Sequence, residues 1–161
     1  MAVFNPTTDP RAFRDALGAY ATGVTIVTVP GADGPTGITA NSFASVSLDP
    51  PLVLWSPAKS SKRFNDFSGA PHFAIHVLDA HQQDICDAFT RDKHAFDGLD
   101  WQTGDNDVPL INGCLARFEC TRDAEHDAGD HMIIVGRVTG ASVRDGLPLL
   151  FQGGRFVAIK G

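Results

Sequence analysis

Apolar and polar residues alternate along the stretch GITANSFASVSLDPP, from Gly37 to Pro51. A period of two is typical of a strand, because successive side chains point to opposite faces of a sheet. The pattern predicts one strand that ends at Asp49-Pro50-Pro51. Its core face is expected to carry Ile38, Ala40, Ala44, Val46 and Leu48. Its other face carries short hydrogen-bonding groups around one aromatic ring: Thr39, Asn41, Phe43, Ser45 and Ser47.

Several further stretches predict strands. They are GVTIVTVP, LVLW, HFAIHVL, CLARFECTRDAEHD and HMIIVGRVTGASV. The last two flank the turn sequence DAGD and are expected to be long. The segment PLLFQGGRFVAIKG predicts a closing hairpin whose turn is Gly153-Gly154.

Three segments have the spacing and end signals of helices. DPRAFRDALGAY has Asp9 as the expected N-cap and Pro10 at the first helical position. KSSKRFNDFSG is expected to begin at Ser60 or Ser61 and to end at Gly69, and DAHQQDICDAFTR has Asp79 as its expected N-cap. The polar stretch over residues 92–113 is expected to be a long surface loop.

Six or seven strands and three helices follow from these patterns. Because neighbouring strands are joined by turns, antiparallel pairing is favoured, and with it a closed or nearly closed β-barrel with helices packed outside. No repeat or composition shift divides the chain, so residues 1–161 are expected to form a single domain.

Composition narrows the classes of function. The formal net charge of -6 argues against nucleic-acid and anionic-membrane partners, which favour a basic face. The three cysteines, without a CxxC pair, suggest reduced thiols in a cytoplasmic protein rather than disulfides or a zinc site. The first residues do not resemble a signal peptide, and no apolar run reaches the roughly 18 residues of a membrane span.

The common sequence fingerprints of catalytic sites are missing. We find no GxGxxG after a strand, no GxxxxGK[ST] and no GxSxG. His72 and His76 share one face of a predicted strand, so a metal site is conceivable there. Solvated or core-edge histidines are the simpler interpretation, and no metal is expected.

Three stretches remain that could contribute chemistry. The polar face of residues 37–47 offers neutral donors suited to a planar heterocycle, although a plain solvent face is the alternative. In SPAKSSKRF, serines and lysines at a helix start suit a phosphate, although an ordinary serine N-cap is the alternative. In GDHMIIVG, His131 lies at the start of a strand and could contact a second planar ligand, or be a simple loop histidine.

In this order, the three stretches resemble the short flavin-reductase family, whose members share an FMN-binding split barrel. The resemblance rests on GVTIVT, GITANSFASVSLDPPLVL, KSS, FAIHVLDAHQQDICDAFTR, HAFDGLDW, PLINGCLARFEC, GDHMIIVGRV and PLLFQGGRF. It implies a mainly β fold with flanking helices, an antiparallel split β-barrel. It also implies reduction of FMN or FAD by NADH or NADPH, a homodimer, and a partner monooxygenase that receives the reduced flavin.

The resemblance also implies roles for individual residues. The strand positions implied to bind the flavin are Thr39, Ala40, Asn41, Ser42, Ser45, Val46 and Ser47. The positions implied to hold the phosphate are Lys59, Ser60 and Ser61. Arg91, Lys93 and Phe96 would border the flavin tail or the reductant, and His131 would approach the nicotinamide as the catalytic residue. Many family members carry a hydroxyl where this chain has Lys62, so FMN and FAD both stay open.

Under this hypothesis the cofactor carries the redox chemistry, with hydride passing from the nicotinamide to the flavin. The sequence leaves three classes of function open. They are a reductase that releases its flavin, a carrier or reductase with fixed flavin that passes electrons to another acceptor, and a non-catalytic barrel.

Overall fold

A computed structural model describes residues 3–159 of the chain. The fold is mainly β, with three short α-helices. The helices are α1 Pro10–Gly18, α2 Phe64–Ser68 and α3 Gln83–Arg91. The first six strands are β1 Thr22–Gly23, β2 Thr25–Val29, β3 Thr36–Ala40, β4 Ala44–Leu48, β5 Pro51–Trp55 and β6 His72–Val77. The other six are β7 Trp101–Thr103, β8 Pro109–Ile111, β9 Ala116–Ala128, β10 His131–Val143, β11 Leu150–Gln152 and β12 Arg155–Val157.

The main sheet is antiparallel, and its seven strands lie in the order β3-β2-β6-β9-β10-β5-β4. Its two edges, β3 and β4, are consecutive in the chain, with only residues 41–43 between them. A flat sheet of this width would separate its edges by about 29 Å. The chain from Ala40 to Ala44 reaches at most about 14 Å. The sheet must therefore be strongly curved, so that its edges approach each other at residues 41–43.

This break corrects the prediction of one continuous strand over residues 37–48. The core face predicted for its second half is also wrong, because β4 is an exposed edge: Val46 is 48% exposed and Leu48 97%. Ser45 and Ser47 pair with adjacent residues of β5, which makes Val46 a bulge. A bulge shifts the alternation of side chains, so the period of two that the sequence suggests does not persist through β4.

Both faces of the curved sheet are covered. The first core contains Val27, Trp55, Phe67 and Ile75 among its buried members, and the second contains Ile26, Phe89 and other residues of α3 and the C-terminal hairpin. Neighbouring residues Ile26 and Val27 thus point into different cores, as the alternation of a strand requires. All of β2 is buried, since it is covered on both sides.

The stretch over residues 92–113 is not the surface loop that its polarity predicts. It contains the hairpin β7–β8, and Phe96, Leu110 and Ile111 within it are buried. Its few apolar residues are enough to anchor the stretch in the core. The polar residues between them obscure the strand pattern in the sequence.

Helix starts are only partly as predicted. In α1, Asp9 accepts a hydrogen bond from the amide of Ala12 at 2.9 Å, which confirms the N-cap. The second helix begins at Phe64 rather than at Ser60 or Ser61, and the third at Gln83 rather than after Asp79. The Asp79 carboxylate instead accepts from the amide of His81, which forms a turn before the helix.

Both predicted hairpins are present, β9–β10 with its turn at Gly129-Asp130 and β11–β12 with its turn at Gly153-Gly154. Gly129 has φ 72°, a left-handed conformation that glycine adopts without strain. None of the helices within residues 3–159 has the length and apolar character needed to cross a bilayer.

Candidate functional site

A cleft lies between β3 and α3, and we call it the β3–α3 groove. One part is a cavity of about 350 Å³, lined by Val24, Thr39, Ala40, Asn41, Cys86, Asp87, Thr90, Phe151 and Phe156. A second cavity of about 360 Å³ shares Thr39 and Thr90 with it and adds Ile38, Ser61, Arg63 and Phe89. A wider cavity of about 670 Å³ beside α1 shares Asn41 and Phe151 with the first cavity. These volumes lie in the range of small-molecule sites.

The two walls of the groove meet where Gly37 faces Phe89. A Cβ atom on Gly37 would lie 2.5 Å from the Phe89 ring, so this close approach of strand and helix requires glycine. The amide of Gly37 also donates to the carbonyl of Lys93 at 2.8 Å. Together these contacts fix the width of the groove.

Arg63, which sequence reasoning did not single out, clamps the same walls together. Its guanidinium donates to the carbonyls of Gly37 and Thr90, each at 3.2 Å, and also to that of Phe89. A cation at the C-terminal end of α3 is favoured by the helix dipole. Partial burial lowers the pKa of Arg63, with Asp92 and Asp66 opposing that effect. Its partners lie 26 or more residues away in the chain, so no local pattern could reveal the clamp.

The predicted polar strand face lies in the groove only at its first half. Thr39, Ala40 and Asn41 line the groove, and Asn41 is exposed. The Thr39 hydroxyl donates to the carbonyl of Cys86 at 3.1 Å, and that of Thr90 donates to the same carbonyl at 2.8 Å. The wall is therefore neutral, polar and held rigidly by the end of α3.

The second half of that face is divided among other roles. Ser42 accepts from the amide of Ser56 at 2.9 Å and so joins the connection after β3 to the segment after β5. Phe43 stacks on Phe118 with ring centroids 5.5 Å apart and packs against the first core, which corrects its placement on the polar face. Ser45, Val46 and Ser47 lie on the edge strand β4.

The turn before α2 brings Ser61 to the groove. Its hydroxyl accepts from the amide of Arg63 at 3.2 Å, which leaves its O–H free to donate to a ligand. Ser60 is exposed. Because α2 begins only at Phe64 and has five residues, the helix N-terminus expected at the serines is not there. Any phosphate bound here would rely on hydroxyl and turn amide groups instead.

Lys59 is tied to the β9–β10 turn. Its ammonium group lies 2.6 Å from the Asp127 carboxylate and donates to the carbonyl of Gly129 at 2.7 Å. The backbone beside it forms an isolated bridge between Ala58 and His131. The structure thus brings together two of the sequence candidates, the KSS segment and His131.

His131 is partly exposed at the start of β10, and its Nδ1 lies 2.7 Å from the Asp130 carboxylate. This contact lowers the pKa of the Asp130 carboxyl through a hydrogen bond and a charge interaction with His131. With Nδ1 donating to Asp130, Nε2 is left for a ligand.

The three residues predicted near the flavin tail are dispersed. Arg91 is exposed at the end of α3. The Lys93 ammonium lies 2.9 Å from the Asp66 carboxylate, an ion pair between α2 and the chain after α3. Phe96 is only 6% exposed and packs edge-on against Phe89 in the second core.

Other groove residues were missed by the sequence analysis. Phe151 and Phe156 pack edge-on across the C-terminal hairpin, 5.4 Å apart, and form the aromatic wall opposite Thr39. Cys86 and Asp87 face the groove from α3. Burial raises the pKa of the Cys86 thiol, so at neutral pH it is a protonated, weak nucleophile. In the sequence, the only sign of these groove residues is the pair Phe151 and Phe156 on either side of Gly153-Gly154.

Within residues 3–159, no group of three His, Cys, Asp or Glu residues is placed to hold a metal ion. His72 contacts Thr121, 3.2 Å away, and both ring nitrogens of His76 are bonded to the backbone. The groove offers an aromatic wall, the neutral polar side chains of Thr39 and Asn41, the Asp87 carboxylate on α3, and a serine hydroxyl at one end. This donor set fits a flat aromatic ligand with polar edges and a phosphate tail.

Comparisons with known proteins agree with that chemistry. Residues 17–160 match the family described as flavin reductase like domain. The chain is 64% identical over 146 residues to FMN reductase (NADH) SmoA of Agrobacterium fabrum, covering 91% of this chain and 84% of that protein. It is 48% identical over 130 residues to the reductase component of the flavin-dependent trigonelline monooxygenase of Acinetobacter baylyi, covering 80% of this chain but only 42% of that longer protein.

A solved structure is similarly close. The NADH:FAD oxidoreductase SgcE6 of Streptomyces globisporus, in complex with NAD and FAD fragments, superposes with a TM-score of 0.91. Its sequence identity is 38%, with 99% of this chain and 98% of that chain covered.

Proposed function

This chain belongs to the flavin reductase like family, and we propose that it uses NADH to reduce FMN and supplies the reduced flavin to a monooxygenase. The observation that carries this is the 64% identity, across 91% of the chain, to a protein named as an NADH-dependent FMN reductase. Support for the monooxygenase partner comes from relatives that are named as reductase components of such enzymes.

The β3–α3 groove is where we propose that the flavin binds. Phe151 and Phe156 would pack against the ring system, while Thr39 and Asn41 would face its polar edge. Ser61 would donate to the phosphate from the far end of the groove. When bound, the flavin supplies the hydride acceptor, and the protein binds and orients the reactants.

His131 is proposed to contact the nicotinamide. Its Nε2 is available because Nδ1 is engaged by Asp130. A hydrogen bond accepted by Nε2 of the fixed imidazole would hold the nicotinamide at the distance that hydride transfer needs, roughly 3–3.5 Å between reacting atoms. The Asn41 side-chain amide would donate toward negative charge that develops on the reduced ring.

The finer architecture belongs to the same proposal. The curved sheet, whose edges approach at residues 41–43, supports a split β-barrel of the FMN-binding type. The family match over residues 17–160 supports one domain. The three free cysteines support a cytoplasmic location.

A homodimer is the assembly we propose. Helix α1 exposes Phe13 and Leu17 at 44% and 61%, Tyr20 just after the helix is 79% exposed, and β4 exposes Val46 and Leu48. Large apolar side chains grouped on one element are the usual mark of a surface that another chain covers. Light scattering of the purified protein should give twice the mass of one chain, 17.2 kDa.

Steady-state NADH oxidation with added FMN, FAD or riboflavin tests the function. We expect a rate that saturates with free FMN and a purified protein that can be loaded with flavin and reduced by NADH, as seen by loss of the yellow absorbance. A protein that stays yellow and oxidises NADH poorly in the presence of free flavin would be a fixed-flavin carrier instead. A protein that binds no flavin and leaves NADH untouched would refute the proposal.

A further inference from the structure

We propose that Lys59 and Asp127 act as positioning residues for His131, so that Lys59 supports the reaction with NADH rather than binding of the flavin phosphate. The inference rests on the proposed function, in which His131 contacts the nicotinamide. It reassigns a lysine whose neighbouring serines suggest a phosphate site.

The Lys59 side chain is already bonded to the β9–β10 turn. The Lys59 ammonium bonds the Asp127 carboxylate at 2.6 Å and the Gly129 carbonyl at 2.7 Å. Two of its three N–H donors are therefore directed at the β9–β10 turn. This contact also lowers the pKa of Asp127, chiefly through the hydrogen bond with Lys59. A phosphate at Lys59 would have to compete with a carboxylate already in place.

Backbone contacts place the same turn next to His131. The amide of Lys59 donates to the carbonyl of Asp130 at 2.9 Å, and the amide of Met132 donates to the carbonyl of Pro57 at 3.1 Å. Ala58 lies opposite His131 in an antiparallel bridge. Residues 57–59 thus continue the pairing of β5 with β10, and this pairing ends at the turn residue Asp130.

The Lys59 side chain is the element that holds the tip of the hairpin. Within residues 3–159, the hydrogen bonds that reach residues 127–130 from outside the β9–β10 hairpin all come from Lys59. Residues 125–130 are exposed, and Gly129 has a left-handed backbone. Loss of the Lys59 side chain would leave the backbone bond to Asp130 but free Asp127 and Gly129, and the Asp130 carboxylate would lose its fixed position beside His131.

The consequence concerns the orientation of the imidazole. Asp130 orients His131 through Nδ1, and Lys59 fixes the backbone of Asp130 and the residue before it. A displacement of about 1 Å in a group that positions a reactant can cost about a hundredfold in rate. Lys59 therefore acts on the reaction through the turn, without touching either reactant.

The test compares Lys59→Met, Lys59→Arg and Asp127→Ala with the wild type. Each is assayed for kcat/KM with NADH at saturating FMN, and for FMN affinity by quenching of flavin fluorescence. We expect Lys59→Met and Asp127→Ala to lower kcat/KM for NADH about tenfold or more while FMN affinity changes less than about twofold. Lys59→Arg should retain more of the activity than Lys59→Met, because arginine keeps a positive charge and N–H donors for the Asp127 carboxylate and the Gly129 carbonyl.

A matched control is available on the same hairpin. Arg137 pairs with Asp123 at 2.7 Å, an exposed ion pair across β9 and β10 that does not involve the turn. Arg137→Met removes a comparable ion pair, and we expect it to leave both readouts unchanged. A general loss of hairpin stability would instead affect this variant as well.

His131→Ala tests the role of His131 separately from the positioning role of Lys59. We expect it to weaken the use of NADH far more than the binding of FMN, and we expect Lys59→Met to cause no further loss in that background. If His131→Ala leaves kcat/KM for NADH unchanged, the role assigned to His131 is wrong and the positioning role falls with it. If His131→Ala is impaired but Lys59→Met is not, or if Lys59→Met mainly weakens FMN binding, the positioning role alone is overturned.

Discussion

The imidazole of His76 accepts a hydrogen bond from the backbone amide of Ile111 across 3.1 Å, in a position that solvent does not reach. Its other nitrogen, Nδ1, lies 3.0 Å from the carbonyl of Ile26 and so must carry the proton. One neutral histidine thereby joins the main sheet to β8. Because a protonated ring could not accept from Ile111, this link requires the neutral form.

Stability should therefore fall in mild acid. Burial lowers the pKa of His76 from 6.5 to about 4, so between these values the unfolded chain takes up a proton that the folded protein does not. We expect the free energy of unfolding, measured by urea titration, to decline as the pH falls through this window. His76→Gln should be less stable at neutral pH by about 1–3 kcal/mol, but should decline less steeply. An equally steep decline in His76→Gln, with the exposed His81→Gln as control, would assign the effect to other groups.

Gly37→Ala should destabilise the protein and narrow the groove. Its Cβ would lie 2.5 Å from the Phe89 ring, which is fully buried and cannot move away easily. We expect a loss of about 1–3 kcal/mol in urea unfolding, together with weaker FMN binding. Gly23→Ala is the matched control, since nothing lies within 4 Å of the added methyl group. Equal stability of the two variants would mean that α3 shifts freely on β3.

Arg144→Met should leave a carboxylate buried without its cation. The Asp79 side chain is 8% exposed and accepts from the Arg144 guanidinium at 3.0 Å. The pKa of Asp79 is lowered by the His81 amide and by Arg144, so this stabilisation is present at neutral pH and is lost as the pH falls through the lowered pKa. We expect a loss of about 1.5–3 kcal/mol at neutral pH that shrinks in acid. Arg137→Met, which breaks an exposed pair, should cost under about 1 kcal/mol, and a similar cost for both would contradict the argument.

Ser61→Ala should distinguish phosphorylated from unphosphorylated flavin. The Ser61 hydroxyl accepts from the Arg63 amide and keeps its O–H for a phosphate oxygen. Loss of one hydrogen bond to a charged group corresponds to a roughly tenfold to hundredfold weaker affinity for FMN. Riboflavin, which lacks the phosphate, should bind as before. Fluorescence titration measures the affinity for both ligands, with the exposed Ser142→Ala as control. An equal loss of affinity for FMN and riboflavin would mean that the phosphate binds elsewhere.

Local sequence patterns were reliable where the interactions are local. Asp9 and Pro10 mark the start of α1, and the glycine pairs of the two hairpins mark their turns. Patterns failed where long-range packing decides. Phe96 lies in a polar stretch and is nonetheless buried against Phe89, and Ser60 resembles an N-cap although the helix begins four residues later.

The candidate site shows the same division. The TAN segment at residues 39–41 is recognisable by its polar alternation, and it does line the groove. Arg63 is invisible to such reasoning because it bonds carbonyl groups of Gly37 and α3, which carry no side-chain signature. Phe151 could be read only as part of a hairpin, since nothing local indicates that the hairpin closes a cleft formed by Thr39.

The sequence by itself determined the mainly antiparallel β character, the turns and the family, because hydrophobic period, glycine placement and motif order are properties of neighbouring residues. Tertiary structure alone decided that residues 37–48 break into two strands at opposite edges of one sheet, and that Lys59 bonds a hairpin tip 68 residues away. The physical reason is that sheet curvature and long-range ion pairs minimise the free energy of the whole chain. Their partners come from segments far apart in sequence, and no window of neighbouring residues contains both.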